Sequence, residues 1–277
     1  MPELPEVESL RRILARSAVG RTIVRTRIGA KSLRRRVPID FSSSIAGRRI
    51  IALSRRAKYL IVEFDGDDVL LVHLGMSGSL THRGDGFSNG DFDPRHDHLE
   101  FSLDDDSRLV FNDPRRFGMV RLIARAALAS TAELTALGPE PLSREFDAEY
   151  LATKARGRLV AIKNLIMDQR IVAGIGNIYA AEILFRAKVR PTRRAGRVTR
   201  AEIEKIATAV PLILRAAIGR NGTTFRSYRD SRGQPGRFAE RLRVYGREGK
   251  PCYTCSTPIR NVVVGGRASF YCPNCQR

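Results

Sequence analysis

KYLIVEF-DGDD-VLLVHLGMSGSL, residues 58–80, carries the first β signal of the chain. Two apolar, β-branched runs flank a four-residue Asp/Gly turn, which reads as strand, turn, strand. HLEFSL-DDDS-RLVFND, residues 98–113, repeats the layout, and RFGMVRLI, residues 116–123, is a further strand. Turn signals at this spacing predict a β-sandwich or barrel. Upstream, residues 5–19 predict a short helix. Val7, Leu10 and Leu14 share one face, Glu6 and Glu8 lie in the first turn, and Gly20 ends it. HRGDGFSNGDFDPRHD, residues 82–97, is polar and rich in Gly and Asp, and is expected to be a mobile loop.

Beyond about residue 126 the pattern turns helical. Ser143 is a candidate cap for a helix through Tyr150 and Leu151, and RLVAIKNLIMDQ, residues 158–169, is a second helical run. GIGNIYAAEILF, residues 174–185, reads as a glycine turn opening into a third helix. Thr199 and Glu202 form a capping box for a long helix through Ile203, Ile206, Val210 and Leu214. The expected class is α+β. An N-terminal helix and β-sandwich domain spans 1–130, a helical domain 131–248, and a cysteine module 249–277.

The 277 residues carry 49 Lys and Arg against 29 Asp and Glu, a net charge of +20. Residues 1–150 hold 23 basic and 22 acidic side chains, while residues 151–277 hold 26 and 7. Such asymmetry predicts a polyanion-binding half joined to a nearly neutral one. A merely solubilising surface is the alternative. Hydrophobic residues make up 43%, which excludes wholesale disorder. No run reaches the ~18 apolar residues of a membrane span, so no membrane partner is expected. The acidic start MPELPEVESL shows no secretory signal. All four cysteines fall at or after position 252, so a protein-wide disulfide framework is excluded and a cytoplasmic location is expected.

Those cysteines form two Cys-x2-Cys pairs, Cys252 with Cys255 and Cys272 with Cys275, separated by sixteen residues. The filler NVVVGGRASFY is strand-like on both sides of Gly265-Gly266, a hairpin signal. Four thiolates with no open position predict one structural zinc ion (Zn2+), with two disulfides or an iron–sulfur cluster as alternatives. Arg267, just past the hairpin turn, can reach a phosphate or be plain solvated surface.

The N-terminus carries a further candidate. Pro2 follows Met1 and is small enough to permit removal of the initiator, which would expose a secondary amine. Alpha-amines titrate near ~8, well below lysine at ~10.4, so a useful fraction is nucleophilic at neutral pH. Amines attack carbonyl-like carbons to form Schiff bases, and Glu3 is placed to act as acid or base. On spacing alone an unremarkable N-terminus is the better reading, since Pro2 is a common residue there. MPELPEVE, however, resembles the start of bacterial formamidopyrimidine-DNA glycosylases, enzymes of base-excision repair. RRAKYL (55–60), HLGMSG (73–78), NDPRRFG (112–118), GIGNIYAAE (174–182), VYGREGKPC (244–252) and FYCPNCQ (270–276) resemble motifs of the same family, in order and over nearly the whole chain.

The resemblance implies a helix–two-turns–helix motif in the helical domain and a zinc β-hairpin at the end. It implies a bifunctional DNA glycosylase and abasic-site lyase, expected as a monomer, acting on damaged double-stranded DNA. The damaged base, 8-oxoguanine or a formamidopyrimidine, is flipped out of the duplex. Pro2 then attacks the sugar C1′, and β- and δ-elimination follow. By resemblance Pro2, Glu3, Lys58 and Arg267 are catalytic, with Arg267 also on phosphate. Lys163, Asn177 and His96 contact DNA, and Met76, Arg115 and Phe117 fill the space the base leaves. Taken singly, Met76 and Phe117 also read as core residues. The Gly174-Ile175-Gly176 turn, whose N–H groups suit a phosphate, also reads as simple helix entry. Residues 226–237 read as a connector or, by resemblance, as a lid over the flipped base. An endonuclease-VIII-like enzyme for oxidised pyrimidines and a non-catalytic zinc-ribbon DNA-binding protein are the competing readings.

Overall fold

The computed structural model describes residues 1–38, 40–84, 87, 92–224 and 228–277. The chain opens with α1 (Leu4–Ser17), whose start is fixed by a reciprocal box. The Glu3 side chain accepts from the N–H of Glu6, and Glu6 Oε2 accepts from the N–H of Glu3 at 2.8 Å. Pro5 sits in the first turn, where its missing N–H has no helical partner to lose.

Next come β1 (Ile23–Ile28), the short α2 (Phe41–Ile45), β2 (Ile50–Arg56), β3 (Tyr59–Phe64), β4 (Asp68–His73), β5 (Ser79–Arg83), β6 (Asp97–Leu103), β7 (Arg108–Asn112) and β8 (Met119–Ala124). They form two antiparallel sheets, ordered β1-β6-β7-β5 and β2-β3-β4-β8. Leu60, Val62 and Phe64 of β3 enter a core shared with Leu99, Phe101 and Phe111 and with Val7, Leu10 and Leu14 of α1. The intervening Ile61 faces the other way, where it clusters with Val69, Leu71, Met119 and Ile123, packed against Leu128 and Leu134. Both faces of β3 are therefore covered, and Tyr59–Val62 is apolar without alternation.

Two sequence expectations are corrected here. The strand after DGDD stops at His73, and Leu74–Gly78 is a turn before β5, with Gly75 at φ +63°. RFGMVRLI is likewise divided, since β8 begins only at Met119. Of the expected mobile loop at 82–97, β5 takes the start and a 3-10 turn, Pro94–His96, the end. Residues 85, 86 and 88–91 lie outside the described residues.

The remaining elements are α3 (Ala132–Thr135), α4 (Ala148–Ala155), α5 (Ile162–Met167), α6 (Asn177–Arg186), α7 (Arg200–Ile218), β9 (Arg260–Val264) and β10 (Arg267–Tyr271). Asp147, not Ser143, caps α4, accepting from the N–H of Tyr150 at 2.7 Å. Ser143 donates instead to Glu140 O, four residues before the cap. The Thr199–Glu202 box at α7 forms with both partners bonded. Two compact units result: Met1–Thr135 with Ile218–Ala239, and Ala136–Ala217 with Glu240–Arg277. The segment Ile218–Ala239 thus folds with the sandwich, although it lies within residues 131–248. Among the described residues, no helix is long and apolar enough to cross a membrane.

Candidate active site and nucleic-acid contacts

The N-terminal amine sits among titratable groups of the first unit. Burial lowers the pKa of the Met1 ammonium, Glu3 and Glu6 raise it, and Lys58 and Arg115 lower it. Pro2 is buried and Glu3 is 2% exposed. Lys58 is buried as well, in the tight β2–β3 turn, where Ala57 takes a left-handed φ of +52°. Arg55 braces that turn by donating to Ala57 O at 2.9 Å. Two carboxylates and two cations are therefore within electrostatic reach of the amine.

Glu6 ties this site to the returning segment. Its Oε2 holds the Glu3 N–H, and its Oε1 accepts from Thr223 N–H at 2.7 Å. The buried Tyr228 hydroxyl donates to Glu6 O at 3.1 Å. A Cβ on Gly222, at φ +77°, would lie 2.7 Å from Glu6 Oε1, so only glycine fits there. Of the expected lid at 226–237, residues 226 and 227 lie outside the described residues. From Tyr228 on it is anchored. Asp230 is fully buried and accepts from the N–H groups of Arg232 and Gln234, and His82 N–H donates to Ser231 O at 2.8 Å.

Met76 and Phe117, 41% and 45% exposed, do not belong to the core. Each projects from one of the two turns that interrupt the expected strands. The Arg115 guanidinium lies 4.8 Å from the Phe117 ring centroid. His96 ends the 3-10 turn, with Nε2 3.9 Å from Asp93 Oδ2.

In the second unit Lys163 is fully buried. Its Nζ donates to Asn177 Oδ1 at 2.5 Å, Ala268 O at 2.9 Å and Ser269 Oγ at 2.5 Å. It therefore joins α5, the start of α6 and β10. Asn177 Nδ2 adds a bond to Ala268 O at 3.1 Å, so the half-buried Asn177 is held beside the hairpin that carries the exposed Arg267. In the glycine turn, Gly174 N–H already donates to Gln169 Oε1 at 2.8 Å.

The four cysteines converge, with all Sγ atoms within 4.8 Å of one another. The closest pairs are 3.4 Å apart, too far for a disulfide and close to the ~3.8 Å edge of a tetrahedron with Zn–S near 2.3 Å. N–H groups of Thr254 and Cys275 point at Cys252 and Cys272 Sγ, each at 3.4 Å. The donor set fits one zinc ion with no open position. Cys252 and Cys272 pack with Ala181, Val244 and Ile259, so the module rests on α6. Below it, the buried Glu182 carboxylate accepts from the N–H groups of Arg243, Val244 and Tyr245. The hairpin turn falls at Gly265 and Gly266, both at positive φ.

Two site residues are not marked by the sequence. Glu6 was assigned only to the first helical turn. His73 stands at the end of β4, and its Nδ1 accepts from Gly75 N–H at 3.0 Å, fixing the turn that bears Met76. Burial, then the charges of Lys58 and Arg34, push its pKa down to about 4, so the ring is neutral at pH 7 with the proton on Nε2. A histidine directly before a glycine turn was a usable signal, whereas nothing local marks a lysine for burial.

Comparison with known proteins agrees with this geometry. Residues 1–120 match the formamidopyrimidine-DNA glycosylase N-terminal domain, 137–229 the formamidopyrimidine-DNA glycosylase H2TH domain, and 249–277 a zinc finger found in FPG and IleRS. The chain is 44% identical to the formamidopyrimidine-DNA glycosylase of Cereibacter sphaeroides and 45% identical to that of Methylococcus capsulatus, over the full length of both partners. It superposes on the MutM (Fpg) protein of Thermus thermophilus with a TM-score of 0.86 at 36% identity, covering 99% of this chain and 98% of that one. For Lactococcus lactis Fpg in complex with DNA containing N7-benzyl-Fapy-dG, the TM-score is 0.89 at 33% identity with both chains fully covered. On these grounds, the chain belongs to the formamidopyrimidine-DNA glycosylase family.

Proposed function

We propose that this protein excises oxidised purines from duplex DNA and then cuts the strand at the abasic site. The observation that carries the reading is the N-terminal amine held amid Glu3, Glu6, Lys58 and Arg115. Removal of Met1 transfers the role of terminal amine to Pro2. Its neutral nitrogen attacks the sugar C1′, and the glycosidic bond breaks with its electron pair leaving on the base. Glu3 supplies the proton that opens the sugar ring, and an iminium between Pro2 and C1′ results. Loss of a C2′ proton expels the 3′ phosphate, and a second elimination expels the 5′ phosphate. Lys58 and Arg267 serve as proton donors in these steps.

Met76, Arg115 and Phe117 occupy the gap left by the extruded base, as apolar, cationic and aromatic side chains suit. Asn177 and Arg267 hold backbone phosphates, and His96 adds a contact. Lys163 acts through Asn177 and the hairpin rather than on DNA. The zinc ion, held by Cys252, Cys255, Cys272 and Cys275, shapes that hairpin and takes no part in the reaction. Three functional regions follow, at 1–130, 131–248 and 249–277, with the protein working as a monomer in the cytoplasm.

Borohydride reduction on a duplex with an abasic site should trap a covalent complex. Peptide mapping should place the adduct on Pro2 in protein whose intact mass lacks Met1. An adduct on Lys58 alone, or none, would overturn the assignment.

A further inference from the structure

Asp113 is a fully buried carboxylate at the head of the turn that bears Arg115 and Phe117. Its Oδ1 accepts from Arg115 N–H at 3.2 Å and its Oδ2 from Gly118 N–H at 2.8 Å. These are local bonds of a kind many Asp residues make at turns. A third bond is not local. Ser77 Oγ donates to Asp113 Oδ1 at 2.6 Å, across 36 residues, from the turn that bears Met76. The main chain of Asp113 is bonded as well. Its N–H donates to His96 O at 3.0 Å, and its carbonyl accepts from Arg116 N–H at 3.2 Å and from His98 Nε2 at 2.9 Å.

The two turns also touch through their backbones. A Cβ on Gly75 would lie 2.5 Å from the Phe117 carbonyl carbon and 2.6 Å from Gly118 N, so no side chain fits between them. Behind them, a Cβ on Gly118 would strike the Phe111 ring at 2.4 Å. One carboxylate thus sets the relative position of two exposed apolar side chains, Met76 and Phe117, and of the arginine stacked on the latter.

We propose that Ser77 and Asp113 form a clasp that makes Met76, Arg115 and Phe117 a single stiff insert into duplex DNA, and that both are positioning residues for base extrusion. This rests on the reading above that the three side chains fill the vacated space. A stack of bases resists separation and pushes back on whatever enters it. Two turns that move independently would yield to that push. Two turns clasped through a buried, charge-assisted hydrogen bond transmit it, and their ordering precedes DNA binding. Neither Ser77 nor Asp113 needs to touch DNA for this.

The test is Ser77→Ala, which removes the bond between turns and leaves the local Asp113 bonds in place. Stopped-flow fluorescence of 2-aminopurine, placed beside 8-oxoguanine in a duplex, reads the opening step. Borohydride trapping on a single-stranded abasic oligonucleotide reads the chemistry without a stack to open. Ser77→Ala should slow opening about tenfold, as loss of one hydrogen bond to a charged group implies. Trapping on the single strand should be unchanged, and Ser77→Thr should restore opening. Asp113→Asn should slow opening at least as much; if it fails to fold, Ser77→Ala decides alone. If Met76→Ala slows opening and Ser77→Ala does not, the clasp is refuted and the void-filling reading stands. Should Met76→Ala itself leave opening unchanged, the void-filling reading fails and the clasp with it. A Ser77→Ala enzyme that loses duplex opening and single-strand trapping together would show a general structural role and overturn the proposal.

Discussion

Replacing Lys163 by Met should weaken DNA binding while leaving its salt dependence intact. The ammonium has three acceptors around it, Asn177 Oδ1, Ala268 O and Ser269 Oγ, which match its three donors. Methionine preserves the length of the stem and removes the charge. Three hydrogen bonds to a charged group are lost, each contributing about 1.5–3 kcal/mol. Against this, the several kcal/mol that desolvate a buried ammonium are recovered. Ala268 O retains the Asn177 amide, and Ser269 Oγ retains its own bond to Arg267 O at 3.1 Å. The residual loss falls mainly on Asn177 and amounts to about 2 kcal/mol. If binding must then re-order Asn177 and the hairpin, Kd rises roughly 30-fold. The assay is fluorescence anisotropy on damaged and undamaged duplexes over a series of salt concentrations. A lost phosphate contact lowers the slope of log K against log salt by about 0.9, which is the expectation for Arg267→Ala. Lys163→Met should keep the full slope on both duplexes. A slope lowered by the same amount would mean that Lys163 meets a phosphate, and that its burial does not persist on DNA.

Cys255→Ser should remove the zinc and weaken DNA binding while the two sheets of the first unit remain folded; metal analysis and circular dichroism check this, and fully active zinc-free protein would contradict it. Glu8 gives a pH prediction. Burial opposes its ionisation, but bonds from Arg11 and Arg12 and the charge of Arg55 outweigh it and hold the pKa at about 2, against an ordinary 4.5. A depressed carboxylate stabilises the fold above its unfolded pKa, and that stability is lost as pH falls from about 4.5 towards 2. Glu8→Gln should therefore destabilise by about 2–3 kcal/mol at pH 7 and by almost nothing at pH 2, as read by denaturant melts.

Where the sequence was legible, a local rule and the tertiary structure agreed. DGDD marked the β3–β4 turn, Gly265-Gly266 the last hairpin, Thr199 with Glu202 the start of α7, and the cysteine spacing the zinc module. Local rules failed where distant residues decided the outcome. α1 was read as amphipathic, yet every residue from Pro2 to Leu10 is buried. Glu6 meets Thr223 across 217 positions, a pairing no window on the sequence can register. RLVAIKNLIMDQ yielded only the six residues of α5, because its flanks are committed elsewhere: Ala161 bridges to Arg194, and Gln169 donates to Ile175 O. Asp113 lies in NDPRRFG, residues 112–118, but its bond to Ser77 depends on two turns meeting, which follows only from sheet pairing.

The return of Ile218–Ala239 to the first unit also bears on how the chain is made. Synthesis is directional, at roughly 5–20 residues per second. When residue 135 is polymerised, the sandwich strands are all present, but the partners of Glu6 and Ser9 from Ile218, Thr223 and Tyr228 are not. On the order of ten seconds passes before they are synthesised. Through that interval the start of α1 lacks its cover on a nascent chain, and the segment that will carry the nucleophile remains the least settled part of the unit. The amine site is therefore the last part of the first unit to be assembled, after the helices of the second unit have been synthesised. A chain truncated before residue 218 would keep its two sheets and lack a finished N-terminus.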